Sequence, residues 1–471
     1  MDIVLLGLVV GMANALLAAG LTLVYMSNRV INFAHGELGA FGVAMMIALT
    51  RVAHLNYWLA LVLSLGATAA LGGIIERSIL ARLFRSPRLI VLIATIGIAQ
   101  LVTVGRLILP KAKAAGGDDA LAGGASIFPV PFDSPSVVFG RVVLLPQHFM
   151  VLVAGPLLAL ALFAFLRYST YGIALRAAAE NGARARLLGI PVRRVSTIAW
   201  IVAALLSAAA SILLAPIIGF SATEAVGLPL LMRGLAAAMV ARMESVGTAF
   251  GVGLALGVFD QLVYFTTGRS GLTDVVLFVV VLGALLDRGE RQRRTVAAEE
   301  SSWQVAEPIR SLPPEIASHP RWRTLTGSAV ALGGPALILF PQFATPSATQ
   351  FVATVLLVAV VSMSLTMLTG WAGQMSIGQW ALAGAGGIFG AQLVTEAKVP
   401  FWLAFLLAGV VGGVVALVLG FPALRLEGSA LAVVTLGFAV ASASWLFDQR
   451  WFKGTGFLPR PASSPRPSTT A

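Results

Sequence analysis

Apolar runs of about 17–25 residues recur along most of the chain, and each is long enough to carry a helix across a ~30 Å hydrocarbon core. A sequence of this kind has little choice of fold. Inside a bilayer every backbone N–H and C=O must be satisfied within the protein, which only helices and closed barrels achieve, and runs of this length select helices. Composition agrees, with 58% hydrophobic and 11% charged residues in 471 and a mean hydropathy of +0.91, far outside the soluble range. The expected fold class is therefore all-α, a polytopic transmembrane helical bundle. The 49 glycines fit this reading, because small residues let helices approach closely where no hydrophobic force drives them together.

The formal net charge is +12, but the basic residues fall in short clusters between apolar runs rather than on one face. That pattern reports membrane orientation and gives no expectation of nucleic acid as a partner. The chain has no cysteine, which excludes disulfides, thiol nucleophiles and Cys-ligated metals. The first run, Ile3–Tyr25, follows Asp2 rather than a basic stretch and is read as a retained span with its N-terminus outside. Further spans are expected near 34–50, 57–76, 89–109, 149–167, 197–218, 229–241, 246–267 and 272–287. The runs 34–50 and 229–241 are short for full crossings, so re-entrant or broken elements are expected there. Arg82, Arg85, Arg88 and Arg288–Arg294 fall inside, and the Gly- and Pro-rich segment Lys111–Gln147 falls outside. Glu76–Arg77 reads as a solvated anchoring face, and Asp260, in the middle of a run, calls for an interhelical partner such as Ser, Thr or Arg.

Residues 288–324 break the apolar pattern with both charge signs, Ser and Pro, and read as a cytoplasmic linker between a first domain (1–287) and a second (325–453). The second domain restarts with spans near 325–343, 350–369, 377–394, 399–420 and 430–447, and 454–471 reads as a disordered tail. A shift of 344 positions sets Leu21–Thr22 on Leu365–Thr366, Leu38 on Leu382 and Gly42 on Gly386. Both INFAHGELGAFG (31–42) and MSIGQWALAGAG (375–386) place a polar, Gly-containing hinge before a small-residue helix, as duplicated transporter halves do.

Between two apolar runs lies a basic island, YSTYGIALRAAAENGARARLLGIPVRRVS (168–196), with five arginines and one acid, which places it on the cytoplasmic side. Ser169 and Thr170 can cap a first turn, Ala177–Glu180 is a strong helix former, and Gly189 followed by Pro191 supplies a stop. The expectation is a short helix on the membrane surface, offering Leu187, Leu188 and Ile190 as apolar knobs. The run RAAAENGARARLLGIPVRRV resembles the cytoplasmic coupling loop of permease subunits in branched-chain amino acid ABC importers. Asn28–Glu37 resembles a signature of one of that family's two permeases. LTGWAGQMSIGQWALAG (368–384) and FPALRLEGSALAVVTLGF (421–438) resemble signatures of the other.

The resemblance implies two related permease halves, fused through a linker, in a bacterial plasma membrane. It also implies a docking surface for ATPases carried by Arg176, Ala179, Glu180, Asn181, Arg184, Leu187, Leu188, Gly189 and Pro191. The partners implied are two ABC ATPase subunits, an extracytoplasmic amino-acid-binding protein and the lipid bilayer. A second coupling loop is expected in the other half and does not occur in this sequence, which leaves two alternatives: a truncated reading frame, or a separate chain that completes that half and would be a further partner. Ionisable and amide groups at membrane depth are retained mainly where they face a cavity or a partner. On that ground Asn32, His35 and Glu37 in the first half, with Gln374, Ser376 and Gln379 in the second, are candidates to line a translocation path. No P-loop, no His cluster with metal-ligand spacing and no nucleophile elbow is legible, so neither catalysis, a metal nor a cofactor is expected in this chain, and ATP would be used by the partner subunits. The competing reading is an ion- or proton-coupled carrier or channel, for which Glu37 and Asp260 would be the membrane carboxylates.

Overall fold

The structure is a computed structural model, and it describes residues 2–83, 86–109, 128–131, 137–139, 142–218, 227–268, 271–300, 320–423 and 429–449. Among these the elements are α1 (Asp2–Asn28), α2 (His35–Ile47), α3 (Tyr57–Ile75), α4 (Arg88–Ile108), strands β1 (Val137–Phe139) and β2 (Val142–Leu144), α5 (Pro146–Tyr168), α6 (Thr170–Glu180), α7 (Gly182–Leu187), α8 (Val192–Ile218), α9 (Gly227–Val240), α10 (Val246–Thr267), α11 (Gly271–Glu300), α12 (Pro320–Phe343), α13 (Pro346–Gly370), α14 (Gln379–Thr395), α15 (Phe401–Ala423) and α16 (Ser429–Ser444). Wider π-turns extend α2 over Ala48–Val52 and α3 over Glu76–Leu80. Nine helices among the described residues are long and apolar enough to cross a membrane. The all-α expectation holds apart from the antiparallel β1–β2 hairpin, in which Val138 pairs with Val143.

The first half is built around α8, whose residues from Ala203 to Pro216 are almost all buried against α1, α2, α3 and α5. The closest helix pair is α1 with α10. A side chain placed on Gly257 would meet the backbone of Gly11, one on Gly253 the backbone of Ala15, and one on Gly7 the Cα of Val258. In lipid such small-residue seams associate through close van der Waals contact.

The two runs read as too short for full crossings form short helices. The run 34–50 is not a full crossing: α2 has 13 residues, about 20 Å of helix, and it follows an irregular segment, residues 29–34. That segment climbs into the bundle, because Arg29 touches the C-terminal end of α6 while His35 Nε2 meets the Leu17 carbonyl midway along α1. The run 229–241 is the 14-residue α9, almost wholly buried. Of the linker 288–324 the described parts are helical, since α11 continues to Glu300 and α12 starts at Pro320. Its middle, the tail 454–471 and most of the outer loop lie outside the described residues.

The 344-residue repeat is far clearer in backbone than in sequence. Three helix starts recur at that spacing, Asp2 and Pro346, His35 and Gln379, Tyr57 and Phe401. Left-handed backbone recurs at Arg29 (φ 54°) and Gly373 (φ 63°), and again at His54 (φ 49°) and Lys398 (φ 50°). Helix contacts recur as well: Ser64 Oγ donates to the Gly42 carbonyl, while a side chain on Gly386 would meet the Ala408 carbonyl. The halves differ in cover. In α1, 72% of the most apolar window is buried, and in α13 none of it is, because α5, α8 and α10 enclose α1 and the described neighbours of α13 are α12 and α14.

Candidate functional site

The basic island forms two helices rather than one. Ser169 Oγ accepts from the Gly172 N–H (2.9 Å) to start α6, and Asn181 Oδ1 accepts from the Arg184 N–H (3.0 Å) to start α7. Gly189, at φ 80°, turns the chain into α8. α6 buries Gly172, Leu175, Ala178 and Ala179 against the bundle. Arg176, Glu180, Asn181, Arg184, Leu187, Leu188, Gly189 and Pro191 are exposed, with Leu187 at 88% and Leu188 at 80%. Two adjacent leucines displayed this fully beside arginines are a surface that a partner can grip. Ile190, expected as a third knob, instead packs on the core. Ala179 faces inward, and its carbonyl accepts from Arg29 Nη2 (2.8 Å).

Around this segment the neighbouring helix ends are tied together. The Asn28 amide bonds Ser196 Oγ (2.9 Å), joining α1 to α8, and Thr197 Oγ1 donates to Glu76 Oε2, joining α8 to the end of α3. Glu76 is 2% exposed, so the solvated face expected there is instead an interhelical clamp. The sequence offers one late signal for it: a lone acid beside an arginine at the end of a Gly-rich span.

The two hinges are structurally equivalent breaks. In the first, the Ala34 N–H donates to Asn32 Oδ1 (2.9 Å) and the Phe33 N–H to Thr95 Oγ1 of α4 (3.4 Å). In the second, the Gly378 N–H donates to Ser376 Oγ (3.3 Å) and the Ile377 N–H to Thr435 Oγ1 of α16 (2.9 Å). Backbone exposed by a break at membrane depth must find such partners. Asn32 and His35 are each 1% exposed. His35 Nε2 donates to the Leu17 carbonyl (3.1 Å), while Asn32 Nδ2 and His35 Nδ1 have no hydrogen-bond partner among the described residues. Glu37 packs on Gly227 and lies 4.0 Å from Arg106 Nη2 of α4. Ser376 is buried, and Gln374 and Gln379 are half-buried, with Gln379 Oε1 3.5 Å from Ser364 Oγ. The structure thus brings each trio together at its own break. What links the breaks is a shared apolar core containing Val30, Phe33, Leu231, Met232, Met375 and Val433.

Three charged residues escaped the sequence reading. Arg106, buried in α4, faces Glu37, and Arg233 of α9 lies 3.7 Å from Asp260 of α10, which supplies the partner expected for that carboxylate. Asp274 of α11 lies near Arg233 and Asp260 and close to Ser444 of the second half. A lone charge inside an apolar run was the available signal for each. No group of three or more His, Cys, Asp or Glu able to hold a metal occurs among the described residues.

Comparison with known proteins adds the family. The LivH permease protein of the high-affinity branched-chain amino acid transport system of Salmonella typhimurium is 31% identical over 293 residues, covering 59% of this chain and 90% of that protein. The corresponding BraD permease protein of Pseudomonas aeruginosa is 30% identical, covering 60% of this chain and 92% of that one. The Salmonella typhimurium LivM permease protein is 29% identical over 101 residues, covering 21% of this chain and 24% of LivM. One family model, "Branched-chain amino acid transport system / permease component", matches residues 3–285 and again 347–469, and this multi-pass membrane chain belongs to that family.

Proposed function

We propose that the chain is the membrane-spanning permease of an ATP-driven importer for branched-chain amino acids, coupled through α6 and α7 to separate ATPase subunits. The observation that carries this reading is the pair of exposed leucines, Leu187 at the end of α7 and Leu188 just after it, on a segment that Arg29 joins through the Ala179 carbonyl to the break after α1. A motor acting on that segment can bias the bundle between inward- and outward-open states only if it makes different contacts in the two, and an apolar-tipped segment bonded to the helix break is suited to this. An extracytoplasmic binding protein would deliver the substrate, and hydrolysis of ATP would occur in the partner chains.

Asn32, His35 and Glu37, with Gln374, Ser376 and Gln379, are assigned to the polar lining of the path. Support comes from the unpartnered buried atoms of Asn32 and His35 and from the pairing of the two breaks. Residues 1–287 and 325–453 would act as two related permease units. The test is uptake of labelled leucine by proteoliposomes holding the chain, ATPase subunits and binding protein. ATP-dependent uptake that Leu187→Glu with Leu188→Glu abolishes, together with ATPase copurification, is expected. Uptake driven by an ion gradient without ATPases would overturn the reading.

A further inference from the structure

Arg29 is a non-glycine residue in left-handed backbone (φ 54°), a conformation L side chains rarely adopt. The second half shows what the backbone alone prefers there. The residue 344 positions on is Gly373, at φ 63°. The first half therefore keeps an arginine where the same turn is otherwise given to glycine, and the side chain has a specific target. Its Nη2 donates to the Ala179 carbonyl at 2.8 Å, in the last turn of α6, where the unsatisfied carbonyls of a helix end favour a cation. Beyond Arg29 the chain has little slack: Val30, Ile31 and Phe33 are buried, Phe33 and Ala34 are held by Thr95 and Asn32, and His35 is held by Leu17.

We propose that Arg29 is a positioning residue, a strut that carries displacement of the α6–α7 segment into the helix break at residues 29–34. This rests on the permease reading above and adds the route by which the docking segment reaches the membrane interior. The clamps Asn28–Ser196 and Glu76–Thr197 tie the ends of α1, α3 and α8 to one another, which supplies the fixed frame against which α6 moves. Among the described residues the guanidinium makes the direct polar contact between α6 and the break, so motion of α6 pulls on residue 29 first.

The experiment uses the full chain assembled with its ATPase pair and compares wild type with Arg29→Gly and Arg29→Lys. Glycine suits the backbone and removes the strut, and lysine keeps a cation able to donate to the Ala179 carbonyl. Amide exchange at Ile31–Ala34 is measured with and without nucleotide, alongside amino acid taken up per ATP hydrolysed. In wild type, nucleotide shifts exchange at the break. In Arg29→Gly the ATPases remain bound, that shift disappears and uptake per ATP falls about tenfold, within the range of ordinary allosteric couplings. Arg29→Lys stays within about threefold of wild type, since lysine lacks only the planar fork. A nucleotide response in Arg29→Gly equal to wild type overturns the strut and leaves the permease reading intact. Loss of ATPase binding by Arg29→Gly also overturns it, placing Arg29 in the docking surface. A wild-type chain that binds no ATPase removes the permease reading and the strut together.

Discussion

Replacing Thr435 by valine removes one hydroxyl and almost no volume, and it isolates the bond that holds the second helix break. The Ile377 N–H donates to Thr435 Oγ1 at 2.9 Å, and that hydroxyl in turn donates to the Leu431 carbonyl at 3.0 Å. In the valine variant Leu431 keeps its helical bond, so the loss falls on the part-buried Ile377 N–H, which loses this partner. An orphaned buried donor costs about 1–3 kcal/mol. The equivalent Phe33–Thr95 contact is longer, 3.4 Å, so Thr95→Val is expected at the bottom of that range, ~1 kcal/mol. Thr435→Ser keeps the hydroxyl and restores most of the loss at that site. The assay is reversible unfolding in mixed micelles. Thr435→Val as stable as wild type to within ~0.5 kcal/mol, the scatter of neutral substitutions, would refute the claim that the break depends on this threonine.

Further outcomes follow from other contacts. Arg233→Ala strands Asp260, with Asp274 facing the same gap. It should destabilise by about 2–4 kcal/mol, below fully buried pairs because Arg233 is partly exposed, whereas Arg233→Met with Asp260→Asn recovers most of the loss in the same unfolding assay. Gly257→Leu drives a side chain into the Gly11 backbone and should abolish monodisperse protein on size exclusion. Gly251→Leu, which points into open space, should leave the profile unchanged. Leu187→Glu with Leu188→Glu should abolish ATPase copurification while leaving unfolding unchanged to within ~0.5 kcal/mol, as expected for fully exposed side chains.

Helix class, span positions and the basic island were legible because membrane depth imposes long apolar runs and charge marks their ends, as at Arg176–Arg194. The repeat was legible only faintly. Its identities are few, but its constraints lie in the backbone: left-handed turns at residues 29 and 373, and N–H groups at 33 and 377 that need a hydroxyl. Periodicity cannot report such needs. Asn32 and Ser376 serve the same purpose with different chemistry, so a comparison of letters misses them. Glu76 misled because charge beside a span end normally means solvent, and only the meeting of α3 with α8 reveals that Thr197 takes it up. Arg106 and Arg233 were hidden in runs read for hydropathy, where one arginine barely lowers the mean. Ala179 was placed on the docking face by its neighbours, whereas the helical period turns it inward beside Ala178.

The central claim is that the α6–α7 segment is a cytoplasmic handle for an ATPase, and the absence of cysteine makes a direct measurement simple. Leu188→Cys gives a single thiol at a position 80% exposed. Its labelling by a membrane-impermeant maleimide is then compared in inside-out and right-side-out vesicles, with and without bound ATPase subunits. The account predicts rapid labelling in inside-out vesicles alone, suppressed by the ATPases. Labelling from the outer face, or labelling that bound ATPases leave unchanged, would contradict it.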